Sequence, residues 1–327
     1  MWCASLARLP KRGIAVIQIE DVAYARIAAP DLDLMEAFFV DFGMQRSARS
    51  ADVLHLRGWG SDPVCLIVHE GAAQQIGFGL RAQSRADLEA LASRLNTAIE
   101  RRPEPGGGEV VRLQDPDGNQ VEVVHGVEAR TPEPLRSPVR INAISQSVRL
   151  NDTVRLAGGP AHIMRLGHVA LHGRDFNMMH AFYRDLLGFK ISDTYFAGEP
   201  GNVMGAFLHC GLGGRFTDHH TVAVVATGRT GFDHLGFEVL DLDDLVLGNR
   251  YLRERARWQH SWGIGRHIEG SQIFDYWRDP SGLKVEHWTD GDLVNEAYQG
   301  HNVEFSLTKA DSVLAQWGPP VNQDFFR

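Results

Sequence analysis

Two histidines and a glutamate, His168, His234 and Glu286, lie on three separate segments that each read as a β-strand, and together they could hold one divalent metal ion. Successive side chains on a strand point to opposite faces. In RLGHVALH, Gly167, Val169 and Leu171 share one face, which sends His168, Ala170 and His172 to the other. In FDHLGFEV, Leu235, Phe237 and Val239 oppose His234, Gly236 and Glu238; in LKVEHW, Leu283 and Val285 oppose Glu286. Two neutral imidazoles and one carboxylate on one side of an ion form the facial set of non-haem Fe(II) enzymes, which leaves open positions for substrate and O2. One carboxylate on Fe(II) leaves a net positive charge that suits an anionic bidentate ligand such as a catecholate. Mn(II) accepts the same donors. A lone strand histidine is more often a hydrogen-bonded core or rim residue, so the inference rests on the three residues jointly.

The elements that must position this set are legible as repeats. MRLGHVALHGRDFNMMHAFYRDLLGFKI, from Met164, predicts a strand, a turn and an amphipathic helix. Asp175 caps the helix, Phe176, Met179, Phe182, Tyr183, Leu186 and Leu187 form its apolar stripe, and Gly188 ends it. VAYARIAAPDLDLMEAFFVDFGM, from Val22, has the same order and closes on Gly43. DPDGNQVEVVHG from Asp115 parallels DPSGLKVEHWTDG from Asp279, each a turn entering a strand with a glutamate at the same offset. Two elements recurring in the same order at roughly half the chain length indicate duplication. A further strand and helix from Phe232 subdivide the second half. The expected fold is therefore α+β, with two homologous domains, each of two βαβββ modules forming a curved half-open sheet with helices outside. The expected boundaries are 1–143, 144–300 and a tail at 301–327, with the proline-bearing stretch from Thr131 to Val139 as linker. Superposing the halves puts Tyr24 where His168 falls, Gly77 near His234 and Glu122 at Glu286, so a metal is expected in the second half only.

Composition narrows the remaining classes. The chain has 327 residues, 43% hydrophobic and 23% charged, within the range of an ordinary globular protein. A net charge of −8 spread along the chain argues against a nucleic-acid partner. Apolar stretches are too short and too interrupted for a membrane span, and the amino terminus lacks a signal-like apolar core. Three widely spaced cysteines, Cys3, Cys65 and Cys210, read as buried thiols in a reducing cytoplasm.

The sequence resembles the type I extradiol catechol dioxygenases of the vicinal oxygen chelate superfamily. The resemblance spans nearly the whole chain and is most specific in GIGRHIEGSQIFDYWRDPSGLKVEHWTDGD from Gly263, with RLGHVAL, HHTVAV and FDHLGFEV upstream and QWGPPVNQDFF near the end. It implies His168, His234 and Glu286 as iron ligands, His220 as the acid–base histidine with His219 beside it at the substrate, and His267 and Tyr276 as hydrogen-bonding partners of a bound catecholate. Some members carry an aspartate three residues after the histidine equivalent to His267; Gly270 stands there. The implied reaction is extradiol (meta) cleavage of a substituted catechol by O2 to a 2-hydroxymuconic semialdehyde-type product, in a cytoplasmic homo-oligomer. Hydroxyphenylpyruvate dioxygenase-like or glyoxalase-like enzymes and metal-free aromatic-binding proteins of the same superfamily are the alternatives. The first needs neither His220 nor the GRH element, the second usually presents more carboxylates, and the third lacks the triad.

Overall fold

The computed structural model describes residues 17–306 and 313–326 of the chain. It is built from one unit used four times, a strand, a helix and three strands, as the repeats predict. The units open with the strands Ile19–Ala29, Gln74–Ala82, Ile163–Gly173 and Gly231–Val239, each followed by a helix: Leu32–Asp41, Arg85–Leu95, Phe176–Leu187 and Leu242–Arg255. Each of these helices starts on a polar N-cap whose side chain accepts the backbone N–H three residues on: Asp31, Ser84, Asp175 and Asp241. The third helix buries the six residues of the predicted stripe, and Gly188 closes it in the left-handed conformation at φ +77°.

Pairing follows one rule throughout. In each module the last strand returns parallel beside the first, and the two first strands of a half pair antiparallel with each other, fusing two modules into one sheet. The result is a first sheet of eight strands and a second of ten. The extra members of the second are Asn302–Glu304 and Ala315–Trp317, so parts of the expected tail are woven into this sheet as edge strands. The segment joining the sheets is longer than the proline cluster suggested, since no named strand or helix occurs between His125 and Ile163. It is anchored where Arg136 meets Asp241, the cap of the fourth helix, at 2.5 and 2.8 Å.

The helices pack on the sheet faces opposite the histidines, and one hydrophobic core runs through both halves. Phe39 and Phe42 meet Phe237 at 6.5 and 6.1 Å, and Phe78 meets Phe232 at 6.3 Å. The repeated turns also match in detail. The Asp115 carboxylate accepts the backbone N–H of Asp117 and Asn119, and that of Asp279 accepts those of Ser281 and Leu283. Cys65 and Cys210 are buried free thiols, and Cys3 lies outside the described residues. Among the described residues no helix is long and apolar enough to cross a membrane.

Candidate active site

The strands carrying His168, His234 and Glu286 lie side by side at the centre of the second sheet. Gly236 is the register partner of both His168 and Glu286. A Cβ on Gly236 would stand 2.2 Å from the His168 ring, so the bare backbone there is the space the imidazole occupies. His168 Nε2 is 3.1 Å from His234 Nε2 and 3.0 Å from Glu286 Oε2, and His234 Nε2 is 3.5 Å from the same oxygen. His168 and Glu286 are buried, at 1% and 0% exposure.

The donor set fits a metal on three counts. Neither Glu286 oxygen has a properly aligned hydrogen-bond donor, although the group is fully buried, and such an orphaned carboxylate is costly unless a cation meets it. Burial would push the Glu286 carboxyl up, but His168, His267 and His234 outweigh it and hold the group well below the usual carboxylate range; burial keeps His168 neutral. Finally, two ligand bonds of about 2.1 Å meeting at a right angle set their donors about 3.0 Å apart, close to the spacings found. The His234 tautomer is fixed from behind. Its Nδ1 donates to Asp233 Oδ2 at 2.8 Å, which turns the Nε2 lone pair toward the triad, and Lys284 Nζ holds Asp233 Oδ1 at 2.9 Å. Asp233 and Lys284 were missed in the sequence, where a β-bulge between Phe232 and His234 breaks the alternation used to read this strand.

The other expected residues separate into two groups. His220 is buried with its ring 4.4 Å from that of His168 and 4.7 Å from Phe207. Burial, then the neighbouring imidazoles, holds His220 well below the ordinary histidine range. His219 departs from the expected substrate contact: its Nδ1 meets His220 Nδ1 at 3.1 Å, and its Nε2 is turned outward to Asp193 at 2.6 Å. His267 Nε2 meets the Tyr276 hydroxyl at 2.9 Å and lies 3.7 Å from Glu286 Oε1. Burial, with the Glu286 charge second, raises the Tyr276 phenol well above its ordinary value and keeps it neutral. The tail supplies the partner on the far side of His267, whose Nδ1 donates to the Leu314 carbonyl at 2.8 Å. Phe325 packs on Trp262 and Tyr276 at 4.9 and 5.0 Å, while Lys284 Nζ donates to its carbonyl. Two clefts between the halves, about 500 and about 510 Å³, share no residue with the triad.

The first half is filled differently at the corresponding place. Tyr24 opposes Gly79, which opposes Glu122, reproducing the His168–Gly236–Glu286 register. The Tyr24 hydroxyl donates to Glu122 at 2.5 Å, and Arg26 and Arg112 each reach the same carboxylate at 2.9 Å. Guanidinium groups thus meet the retained carboxylate where the second half leaves it without an aligned donor.

Residues 165–287 match the model of the glyoxalase/bleomycin resistance protein/dioxygenase superfamily. The chain is 28% identical over 313 residues to metapyrocatechase 2 of Cupriavidus necator, covering 94% of this chain and 92% of that protein. It is 25% identical over 320 residues to an iron-dependent extradiol dioxygenase of Rhodococcus jostii, covering 92% and 97%. The fold superposes on homoprotocatechuate 2,3-dioxygenase of Brevibacterium fuscum with a TM-score of 0.77 at 19% identity, covering 98% of this chain and 95% of that one.

Proposed function

Because residues 165–287 match the glyoxalase/bleomycin resistance protein/dioxygenase superfamily and the chain resembles extradiol dioxygenases over most of its length, we propose that it cleaves a substituted catechol with O2 next to the diol, giving a 2-hydroxymuconic semialdehyde-type product that keeps both oxygen atoms. His168, His234 and Glu286 hold Fe(II), a site that also accepts Mn(II). The observation that carries this reading is the convergence of two imidazoles and a buried carboxylate without an aligned donor within 3.5 Å of one another. When bound, the metal supplies Lewis acidity and a single centre at which the diol and O2 meet.

The chain's own residues divide the remaining work. His267 Nδ1 is committed to Leu314, so its Nε2 and the Tyr276 hydroxyl share one proton and can follow charge as it develops on a catecholate oxygen. The one hydrogen bond this shared proton can make is worth on the order of 2.7–4 kcal/mol to a developing oxyanion. His220 has Nδ1 engaged by His219, which leaves Nε2 to exchange a proton with the substrate. Its neutrality suits it to take the proton first and return it at bond cleavage. Phe207, Trp262 and Trp288 offer aromatic walls near these groups, consistent with an apolar ring substituent. Arg26 and Arg112 neutralise Glu122, so the first half takes no ion. The same reading makes the enzyme a cytoplasmic homo-oligomer, and light scattering measures its copy number.

The test is an anaerobically iron-loaded preparation assayed against a panel of catechols, following oxygen uptake and yellow product together. The proposal expects one O2 consumed per catechol opened. A chain that takes up iron yet consumes no oxygen with any member would contradict it.

A further inference from the structure

A second cluster of titratable groups lies behind His220, outside the machinery described above. Asp193 is 1% exposed and receives His219 Nε2 at 2.6 Å, the backbone N–H of His301 at 2.5 Å and the Tyr298 hydroxyl at 3.3 Å. Glu269, 7% exposed, has a carboxylate oxygen within 4.8 Å of one of Asp193. His301, whose side chain is 66% exposed, lies over both, with Nδ1 3.3 Å from Asp193 Oδ1 and 3.7 Å from Glu269 Oε2. No side chain can intrude from position 270, where a Cβ would fall 2.9 Å from His219 Nδ1.

Asp193, Glu269 and His301 have donor atoms close enough for a cation, but the chemistry of the cluster is that of a held proton. Both Asp193 oxygens already accept hydrogen bonds from the chain. Two carboxyl groups in contact cannot both ionise cheaply. Burial, then the hydrogen bond and charge of Asp193, pushes Glu269 up to about 7. Asp193 stays ionised at about 2, because His219 and the His301 N–H outweigh its burial. The pair therefore takes up one proton as pH falls through about 7, beside the hydrogen bond from His219.

We propose that Glu269, Asp193 and His219 form a proton path, entered from solvent at His301, that exchanges the proton of His220 during turnover. The groups follow one another in space: Glu269 within 4.8 Å of Asp193, Asp193 2.6 Å from His219 Nε2, and His219 Nδ1 3.1 Å from His220 Nδ1. At rest His219 Nε2–H donates to Asp193 and His220 Nδ1–H to His219 Nδ1. As His220 Nε2 takes the substrate proton, His220 Nδ1–H passes to His219 Nδ1, His219 Nε2–H passes to Asp193 and Glu269 releases its own proton through His301. The reverse shift returns a proton along the same groups. His220 Nε2–H then protonates the substrate oxygen. Each bond to hydrogen that breaks is matched by one that forms, no electrons are transferred, and His301 or water restores Glu269. Imidazoles suit the role because each has two nitrogens that can exchange protons independently. Glu269, Asp193 and His219 are positioning and proton-supplying residues, and the inference rests on the acid–base reading of His220.

The experiment compares full-length iron-loaded enzyme with Glu269→Gln, which keeps the shape and removes the proton. The groups facing Glu269 are Asp193, His301, Tyr195 and Tyr298. The expected result is a fall in kcat of about tenfold or more, with iron content and catechol KM within about twofold, a larger solvent deuterium isotope effect on kcat, loss of the pH limb near 7, and partial rescue by Glu269→Asp. His301→Gln, at the exposed mouth, should slow turnover at low buffer concentration and recover with added imidazole. An unchanged kcat and isotope effect in Glu269→Gln on an active parent would overturn the path alone, as would His301→Gln insensitive to buffer. A parent inactive on every catechol would overturn the dioxygenase reading and the path with it.

Discussion

Replacing Gly236 by alanine adds one methyl group beside the triad and replaces no ligand. Its Cβ would stand 2.2 Å from His168 Cε1 and 2.3 Å from Nε2. Carbon atoms rest at about 3.5–4.0 Å, so the ring must retreat by at least about 1.3 Å. Metal–donor distances tolerate about 0.2 Å, and a displacement near 1 Å at a reacting centre costs on the order of 100-fold in rate. Alanine is no burden to a strand backbone at this position, so the fold should persist while His168 leaves the ligand set. The assay is iron bound per chain after anaerobic loading and desalting, read beside kcat and Tm. Gly79→Ala is the matched control, because its Cβ would press on Tyr24 Cζ at 2.6 Å in the first half. That variant should lose about 1–3 kcal/mol of stability from overpacking while keeping its iron. If Gly236→Ala bound one iron with kcat within about threefold of the parent, the reasoning that ties the His168 ring position to the bare backbone of Gly236 would be refuted.

Phe325→Ala should release the tail from Trp262, Tyr276 and Lys284; the expected outcome in steady-state kinetics is a lower kcat and a higher catechol KM, with iron content retained. Asp233→Asn should weaken iron binding about 10–100-fold, the usual cost of losing a ligand's orienting partner, measured by competition with a chelator. Glu269→Gln should also alter stability with a definite sign. The folded carboxyl is raised from 4.5 to about 7, so between those values the folded state holds more protons and the parent loses stability as pH rises. The variant's Tm relative to the parent should therefore be more favourable at pH 8 than at pH 4.5 in metal-free protein.

The triad was legible because strand alternation and internal duplication constrain each other. Val169, Leu171, Leu235, Phe237 and Val285 do enter the core, which commits the intervening His168 and Glu286 to the other face. The register then reproduces the match of Tyr24 to His168 and of Glu122 to Glu286. Asp233 escaped notice because a bulge suspends alternation where it stands, and nothing in a DH pair distinguishes an orienting carboxylate from a surface one. Asp193 and Glu269 lie 76 positions apart on different modules, so only the folded sheet brings them to His219. The Leu314 carbonyl is a backbone atom with no sequence signature at all. His219 and His220 are neighbours that a one-residue slip in the sequence match would exchange. The direction of each ring, one inward and one toward Asp193, is a tertiary property.

The central claim is that one ion is held by His168, His234 and Glu286 and none by the first half. Metal stoichiometry after anaerobic Fe(II) loading measures this directly in the parent, His168→Ala and Glu122→Gln. The account predicts one iron per chain in the parent, one in Glu122→Gln and none in His168→Ala. Iron retained in full by His168→Ala, or halved from two equivalents to one by Glu122→Gln, would contradict it.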